Sequence, residues 1–317
     1  MNEPKHSKYQ RVIDYCAKLP DEPCGVVHPC DAPSLTGAIK AAEMGLIRPI
    51  LVGPQARILA AAAEARLDIS AYELIDAPHS HASAERAAQL VAEGRATILM
   101  KGSLHTDELL ASVVSREAGL RTERRISHCF VMDVPLLDRV VIIADAAINI
   151  FPTLAEKVDI VQNAIDLAHA LGNPKPKVAI LSATESVNPK IQSTIEAAAL
   201  CKMADRGQIT GGLLDGPLAL DNAVNLTAAR IKKIDSPVAG RADILIAPDL
   251  EAGNMLAKSL SFMADADAAG IVVGARVPII LTSRADSLET RLASAAIAVL
   301  LVHHHARKLQ GALVGAG

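Results

Sequence analysis

The chain has 317 residues, beyond the usual size of one compact core, so its length favours two α/β domains. A formal net charge of -3, with 3 Phe, 3 Tyr and no Trp, argues against the basic and aromatic surfaces that bind nucleic acids. We therefore expect small-molecule partners. Because aromatic residues are scarce while 50% of the residues are hydrophobic, the core must consist of Ala, Val, Ile and Leu, which suits parallel strands covered by helices.

Neither a targeting segment nor a metal site is expected. Residues 1–20 are polar and charged, without the apolar core of a signal peptide. Apolar stretches such as residues 292–302 fall short of the roughly 20 residues that a membrane helix needs. The 5 cysteines are scattered without a C-x-x-C pair, and the consecutive histidines that begin at His303 point to different sides of a helix. We expect a cytoplasmic protein with free thiols and no metal.

Short apolar strands alternate with helices of ten to fifteen residues through the first part of the chain. This alternation predicts a largely parallel sheet. The predicted strands cover residues 24–29, 48–54, 72–76 and 96–100, and the predicted helices cover residues 9–19, 31–44, 55–65, 81–93 and 107–117.

Polar residues follow the strand at 96–100, at the edge where α/β sheets bind ligands. Lys101 and Gly102 come directly after it, and His105 and Thr106 precede the next helix. Lys101 could hold a phosphate as a point charge. An ordinary helix-capping turn would explain the same residues, so both interpretations stay open.

A second domain is predicted in the middle of the chain. The strand at 140–145 delivers Asp145 and Asn149 at its end, and the helix at 154–171 stops at Gly172 ahead of two prolines. The predicted domains are residues 1–145 with 270–317, and residues 146–269. Within the second domain we expect strands at 178–181, 212–215 and 243–247 and helices at 189–204, 219–231 and 253–264.

The stretch 277–291 combines an apolar strand, a polar turn and the start of a helix. Ser283 with Asp286, or Asp286 with Glu289, has the spacing of a capping box, and free amides at a helix start attract anions. Arg284 adds a planar cation that fits phosphate oxygens. Alternatively, Ser283 and Asp286 only cap the helix and Arg284 is a solvated charge. One helix face is predicted from the spacing of Leu288, Leu292, Ala295, Ala296 and Val299.

Several common enzyme motifs are missing from the sequence. It contains no G-x-G-x-x-G, G-x-x-x-x-G-K-[ST], H-E-x-x-H or G-x-S-x-G. Ordinary dinucleotide dehydrogenases, P-loop NTPases and α/β-hydrolases are therefore disfavoured.

Two segments resemble the phosphate acyltransferase family, which comprises phosphate acetyltransferases and phosphate butyryltransferases. These are residues 238–254, which end in Gly253 and Asn254, and residues 282–287; residues 101–106 and 145–149 match more weakly. The resemblance implies transfer of an acyl group between coenzyme A and inorganic phosphate, with coenzyme A as a substrate and no tightly bound cofactor. It also implies a homodimer of chains with two α/β/α domains and a cleft between them, similar to isocitrate and isopropylmalate dehydrogenases.

The resemblance also implies roles for individual residues. Ser283 would stabilise the reacting acyl group and Arg284 would hold phosphate. The family often has a carboxylate base seven residues after the serine, where this chain has Thr290, so Asp286 is the predicted base. An arginine often associated with coenzyme A falls near Phe262, so its contacts are not carried over. The predicted phosphate- and acyl-binding residues are Lys101, Gly102, His105, Thr106, Asp145, Asn149, Gly253 and Asn254.

Three alternatives remain beside the acyltransferase. The first is a decarboxylating dehydrogenase of the related two-domain fold, although its metal-binding aspartates are not found. The second is a non-catalytic module that binds coenzyme A or acyl phosphate, which Thr290 in place of a carboxylate would favour. The third is one part of a larger enzyme, such as a fusion with or partner of an enoyl-CoA hydratase. The residue pattern at 283–287 resembles that of the butyryltransferase branch. The acyl-chain preference stays open.

Overall fold

The computed structural model describes residues 7–283 and 286–314. These residues divide into two compact units. The terminal unit contains residues 7–124 and the described part of 269–314, and the central unit is Arg125–Ala268. The chain therefore enters the central unit at Arg125, ahead of the boundary at residue 145 that the sequence suggested.

The predicted alternation of strands and helices is present through most of the chain. The strands are β1 (Glu22–Val27), β2 (Ile47–Gly53), β3 (Glu73–Asp76), β4 (Ile98–Lys101), β5 (Ser127–Asp133), β6 (Val141–Ala144), β7 (Lys177–Leu181), β8 (Leu213–Leu218), β9 (Ile244–Ile246), β10 (Asp267–Val273) and β11 (Ile279–Ile280). The helices are α1 (Ser7–Cys16), α2 (Ala32–Glu43), α3 (Gln55–Ala65), α4 (Ser80–Ala92), α5 (Thr106–Val114), α6 (Leu154–Ala170), α7 (Gln192–Asp205), α8 (Leu220–Val224), α9 (Leu226–Ile231), α10 (Leu250–Met263) and α11 (Leu288–Val314).

The sheet of the terminal unit has the strand order β3-β2-β1-β4-β11-β10. All neighbours are parallel except β10 and β11, which are antiparallel. The chain builds outward from β1 to β3 and then returns to the other side of β1 with β4. Such a reversal of strand order is where open α/β sheets leave a crevice for ligands, beside the carboxyl ends of the strands.

The sheet of the central unit has the order β5-β6-β9-β7-β8, with β5 antiparallel to β6 and the other neighbours parallel. Its core is aliphatic, as the composition predicted. The buried side chains of this core come from all five strands and include Met132, Ile143, Leu181, Leu218 and Leu245.

Strand β5 was not predicted, because polar Ser127 and His128 begin it and Asp133 ends it, which leaves only a short apolar run between them. The helix predicted at 219–231 is two helices. Asn225 ends α8, and its side-chain oxygen accepts hydrogen bonds from the amides of Thr227 and Ala228 at the start of α9. An asparagine that caps the next helix therefore divides the predicted one.

Helix α11 is more deeply buried than its predicted single apolar face requires. From Ala293 to Leu301 every side chain is buried, and the helix packs against α1 and α2. Alanine supplies much of this segment, and its small side chain lets neighbouring elements approach from several sides. The start of α11 is thus held firmly next to the loop that precedes it.

Candidate active site

Three parallel strands of the terminal unit end at one edge of its sheet. In the register of the sheet, Val27 of β1 lies opposite Lys101 of β4, and Ile280 of β11 lies opposite Met100. The residues that follow β1, β4 and β11 therefore emerge side by side. This edge brings the predicted Lys101 and Gly102 together with the loop that contains Ser283 and Asp286.

The loop after β11 is organised by Asp286. The amide of Ser283, an exposed residue, donates a hydrogen bond of 2.6 Å to Oδ2 of Asp286, and the amide of Asp286 donates to the carbonyl oxygen of Ser283 at 3.3 Å. These two hydrogen bonds join Ser283 directly to Asp286. The predicted phosphate ligand Arg284 lies outside the described residues.

The side chain of Asp286 is an unusual carboxyl. Burial raises its pKa above the ordinary value of an aspartate, whereas the Ser283 amide and the cations Arg291 and Lys101 act in the opposite direction. A carboxyl whose pKa is raised toward the working pH is a better proton acceptor than an ordinary surface aspartate. The direction of this shift is compatible with the predicted role of Asp286 as a base.

The prediction that Ser283 or Asp286 caps the last helix is wrong. Helix α11 begins at Leu288, and the hydroxyl of Ser287 accepts the hydrogen bond from the amide of Thr290 at 3.2 Å. Ser287 therefore caps the helix. Because Ser287 takes this role, the side chain of Asp286 is left to the turn that contains Ser283.

Lys101 and Gly102 occupy the same edge for different reasons. Lys101 is buried, its Nζ lies 3.4 Å from the carbonyl oxygen of Gly102, and its charge acts on Asp286. A Cβ at Gly102 would lie 2.4 Å from the carbonyl oxygen of Val27 and 2.5 Å from that of His28. Glycine is therefore required at 102 by the close approach of the backbones of β1 and β4.

His105 and Thr106 lie at the start of α5. Thr106 is its first residue, and the exposed His105 precedes it, with a backbone amide 3.4 Å from a carboxylate oxygen of Glu108. The backbone contact of His105 is that of an ordinary helix start, which was the alternative interpretation of this segment.

A second polar group at this edge, centred on His28 directly after β1, was not predicted from the sequence. Its Nδ1 lies 3.1 Å from Oγ of Ser83, and its Nε2 lies 3.4 Å from a guanidinium nitrogen of Arg57. Since the Ser83 hydroxyl donates to the carbonyl oxygen of His79 at 2.8 Å, it must accept from His28 Nδ1. Nε2 is then the acceptor for Arg57. Burial and Arg57 lower the pKa of His28, so the ring is neutral at pH 7.

Arg291 was also missed, although it lies on the buried side of the start of α11. Its guanidinium donates to Oγ1 of Thr282 at 3.0 Å and to the carbonyl oxygen of Ser283 at 2.8 Å. In the sequence, Arg291 lies one turn after Ser287, among residues of apolar periodicity. This position was the signal that could have indicated a buried arginine. An arginine at a buried helical position needs a polar partner, and here the partner is the predicted catalytic loop.

The remaining predicted residues lie together in the central unit, after β6 and at the start of α10. Asp145 accepts hydrogen bonds from the amides of Ala147 at 2.9 Å and Ile148 at 3.0 Å, and its other oxygen accepts from Asn149. Asn149 in turn accepts from Nε of Arg125 at 2.8 Å. These contacts give Asp145 and Asn149 the role of shaping their own loop.

Gly253 and Asn254 fasten helix α10 to the same loop. A Cβ at Gly253 would lie 2.4 Å from the carbonyl oxygen of Asp145, and Nδ2 of Asn254 donates to the carbonyl oxygen of Ala146 at 3.0 Å. The Gly-Asn pair is thereby explained by a close contact between a helix and a loop. The structure thus brings four of the predicted residues together in a tightly bonded group within the central unit.

Two further properties bear on the class of protein. Among residues 7–283 and 286–314, no three His, Cys, Asp or Glu side chains are grouped so that they could hold a metal ion. Across the same residues, every helix is too short or too polar to span a bilayer. A serine, a partly buried carboxyl and two cations at the carboxyl edge of an α/β sheet are typical of enzymes that act on small anionic substrates.

Comparison with known proteins identifies the family within this class. The model of the family described as "Phosphate acetyl/butaryl transferase" matches residues 81–299, and the chain belongs to this family. A phosphate acetyltransferase from Rhizobium meliloti is 64% identical over 294 residues, which are 93% of this chain and 93% of the relative. A phosphate butyryltransferase from Clostridium acetobutylicum is 43% identical over 271 residues, which are 86% of this chain and 90% of the relative.

A crystal structure of a branched-chain phosphotransacylase from Enterococcus faecalis has the same fold. It superimposes with a TM-score of 0.78 at 32% identity and covers 90% of this chain and 100% of that chain. The prediction of a phosphate acyltransferase is confirmed, and it is favoured over the dehydrogenase and binding-module alternatives. The protein is an enzyme of the transferase class.

Proposed function

We propose that the protein transfers an acetyl or butyryl group between coenzyme A and inorganic phosphate at the strand edge that contains Ser283. The observation that supports this site is the turn after β11. In it, exposed Ser283 adjoins Asp286, whose pKa is raised by burial and which lies in the field of two cations, Lys101 and Arg291. This arrangement suits a reaction that joins anionic substrates and moves one proton.

Asp286 is the base in this proposal. When acyl phosphate reacts with coenzyme A, the thiol must lose its proton, because the thiolate is the nucleophile. Asp286 accepts that proton, the sulfur bonds to the carbonyl carbon, and the bond from that carbon to the phosphate oxygen breaks. Phosphate leaves with the electron pair. In the opposite direction, protonated Asp286 returns the proton to the departing thiolate.

Ser283 and the neighbouring cations stabilise charge. The Ser283 hydroxyl donates to the acyl carbonyl oxygen as negative charge develops there. Phosphate is held by Arg284, a role taken from the family resemblance, and by the positive field of Lys101. His105 and Thr106 supply further polar contacts at the start of α5, and Gly102 lets the backbone of this edge stay close to β1.

In the central unit, we assign a supporting role to the four predicted residues. Asp145 and Asn149 hold the loop after β6 in shape, and Gly253 and Asn254 hold α10 against it. The two compact units correspond, in this proposal, to two α/β/α domains of the isocitrate dehydrogenase type. We further propose a cytoplasmic homodimer that uses coenzyme A as a substrate and carries no tightly bound cofactor.

The test is release of coenzyme A from acetyl-CoA and butyryl-CoA, with and without phosphate, followed with a thiol reagent. We expect release that depends on phosphate, and the ratio of the two rates gives the acyl-chain preference. Release that is equally fast without phosphate would indicate a hydrolase and contradict the proposal. No release from a folded sample would favour a binding module, and a change in nicotinamide absorbance would revive the dehydrogenase.

A further inference from the structure

Arg291 is a buried cation whose guanidinium forms hydrogen bonds with Thr282 and Ser283, in the loop that follows β11. Only 8% of its surface is exposed, yet its guanidinium donates to two neutral oxygens, Oγ1 of Thr282 at 3.0 Å and the carbonyl oxygen of Ser283 at 2.8 Å. These acceptors lie on consecutive residues at the point where the chain leaves β11. A single rigid group therefore sets the position of both.

Arg291 also acts on the loop through its charge. Within the described residues no carboxylate lies within ion-pair distance of its guanidinium, while Asp286 and Asp31 attract it from further away. Burial of a cation without a direct acid partner costs stability. The two hydrogen bonds offset part of this cost, and they place the positive charge of Arg291 in the loop that contains Asp286.

The stem of Arg291 is fixed by a second element. A Cβ placed on Gly37 of α2 would lie 2.9 Å from Cδ of Arg291 and 3.5 Å from its Cβ. Helix α2 therefore leaves a slot for the arginine stem, which exists because residue 37 has no side chain. The slot selects one side-chain conformation and so aims the guanidinium at the loop.

We propose that Arg291 is a positioning residue for acyl transfer: it holds the Thr282 side chain and the Ser283 carbonyl in the reactive arrangement and supplies a fixed positive charge to Asp286. This inference rests on the proposed function of the site. Arg291 does not contact the substrate in this proposal, and it acts through Ser283 and Asp286.

The groups that face Asp286 define the expected pH effect. Burial raises the pKa of Asp286, while the Ser283 amide, Arg291 and Lys101 lower it, in that order of size. Removing the charge of Arg291 takes away one of the lowering influences, so the pKa of Asp286 rises further. Because the base works deprotonated, the acid limb of the profile of kcat/KM against pH then moves to higher pH.

The experiment compares Arg291→Gln and Arg291→Lys with the parent enzyme in the assay for phosphate-dependent release of coenzyme A. We expect Arg291→Gln to lower kcat about 10- to 100-fold, the range expected for a small misplacement of reacting groups, with a smaller change in KM. Its acid limb should lie at higher pH. Arg291→Lys keeps the charge but lacks the planar fork that reaches both oxygens, so its rate should fall while its acid limb stays.

Further variants separate positioning from stability. Gly37→Ala displaces the arginine stem without removing its charge and should lower kcat with an unchanged acid limb. Thr282→Val removes one acceptor and should lower kcat, whereas Thr282→Ser keeps the hydroxyl and should restore it. Arg307→Ala changes an exposed arginine of the same helix and is the control for loss of a charge.

Each outcome decides the inference. If Arg291→Gln lowers the melting temperature but leaves kcat and the acid limb of the folded enzyme unchanged, Arg291 is only structural and the inference is wrong. If Arg291→Gln fails to fold, the inference is tested with Gly37→Ala and Thr282→Val instead. An unchanged kcat in both of these variants would show that the inference is wrong. If the parent enzyme itself releases no coenzyme A in response to phosphate, the proposed function fails instead, which distinguishes the two.

Discussion

Two loops of this protein present an aspartate directly after a parallel strand or shortly beyond it, and they use it in opposite ways. Asp145, after β6, accepts hydrogen bonds from the backbone amides of the next few residues and from the side chain of Asn149. Asp286, after β11, accepts a hydrogen bond from the amide of Ser283 and lies in the field of Arg291 and Lys101. The oxygens of Asp145 are occupied by hydrogen bonds that shape its own loop. The carboxylate of Asp286 remains able to accept a proton.

The comparison shows that an aspartate at a strand end is not by itself a functional signal. What separates the two is the number of donors that the following residues supply. After β6 the chain turns so that successive amides converge on Asp145, as in a helix cap. After β11 the cap of the next helix is Ser287, and among the described residues the backbone amide that donates to Asp286 is that of Ser283.

The largest expected effect is loss of turnover in Asp286→Asn. Asparagine keeps an oxygen for the Ser283 amide but cannot take a proton, so kcat should fall about 100-fold or more. The raised pKa means that the charged form of Asp286 costs stability as the pH rises above the ordinary value of an aspartate. The melting temperature at pH 7 should therefore stay equal or rise. Glu289→Gln, an exposed acid on the next turn, is the control, and equal loss of activity in both variants would remove Asp286 as the base.

A large loss of stability is expected in Asp145→Ala. The amides of Ala147, Ile148 and Asn149 would lose a charged acceptor, which should lower the free energy of unfolding by about 3 kcal/mol. Urea unfolding measures this change. Asp138→Ala removes an aspartate of the same unit that is 88% exposed and should have little effect. Similar stability in the two variants would contradict the structural role of Asp145.

A smaller destabilisation is expected when a methyl group is added at Gly253. The new Cβ would lie 2.4 Å from the carbonyl oxygen of Asp145, so α10 must move away from the loop. We expect Gly253→Ala to lower the free energy of unfolding by about 1–3 kcal/mol despite the better helix propensity of alanine. Ser259→Ala, at an exposed position of the same helix, is the control. Stabilisation by Gly253→Ala would show that the contact is loose.

The smallest expected effect concerns acid stability and His28. Its pKa is lowered in the folded protein, so unfolding binds a proton, and the stability that neutral His28 contributes is lost as the pH falls below about 6.5. The free energy of unfolding should therefore depend less on pH between 7.5 and 5.5 in His28→Asn, by at most about 1.4 kcal/mol per pH unit. Asparagine tolerates the left-handed backbone at this position, where φ is 55°. The exposed His305 provides the control, and an unchanged pH dependence in His28→Asn would contradict the neutral ring.

Much of the architecture could be predicted from local pattern. Helix α3 has the predicted bounds, and most other elements differ from the prediction by a few residues at their ends, because strong stops and caps mark them. Strand β5 was missed since polar residues at both of its ends leave a short apolar run, and the predicted helix 219–231 was divided by a cap at Asn225. The first error arises because the apolar run is short, and the second because a side-chain cap at Asn225 outweighs the helical periodicity around it.

The sequence by itself determined the α/β class, the aliphatic core and the segments that mark the acyltransferase family, because these depend on composition, period and short motifs. Only the tertiary structure decided what each polar residue does. Gly102 and Gly253 proved to be sites of close backbone approach, and Asp145 a loop-shaping acceptor. Arg291 reached the loop of Ser283 because the start of α11 and the slot at Gly37 fix its direction. Burial and neighbouring charge set these roles, and both arise when distant parts of the chain meet.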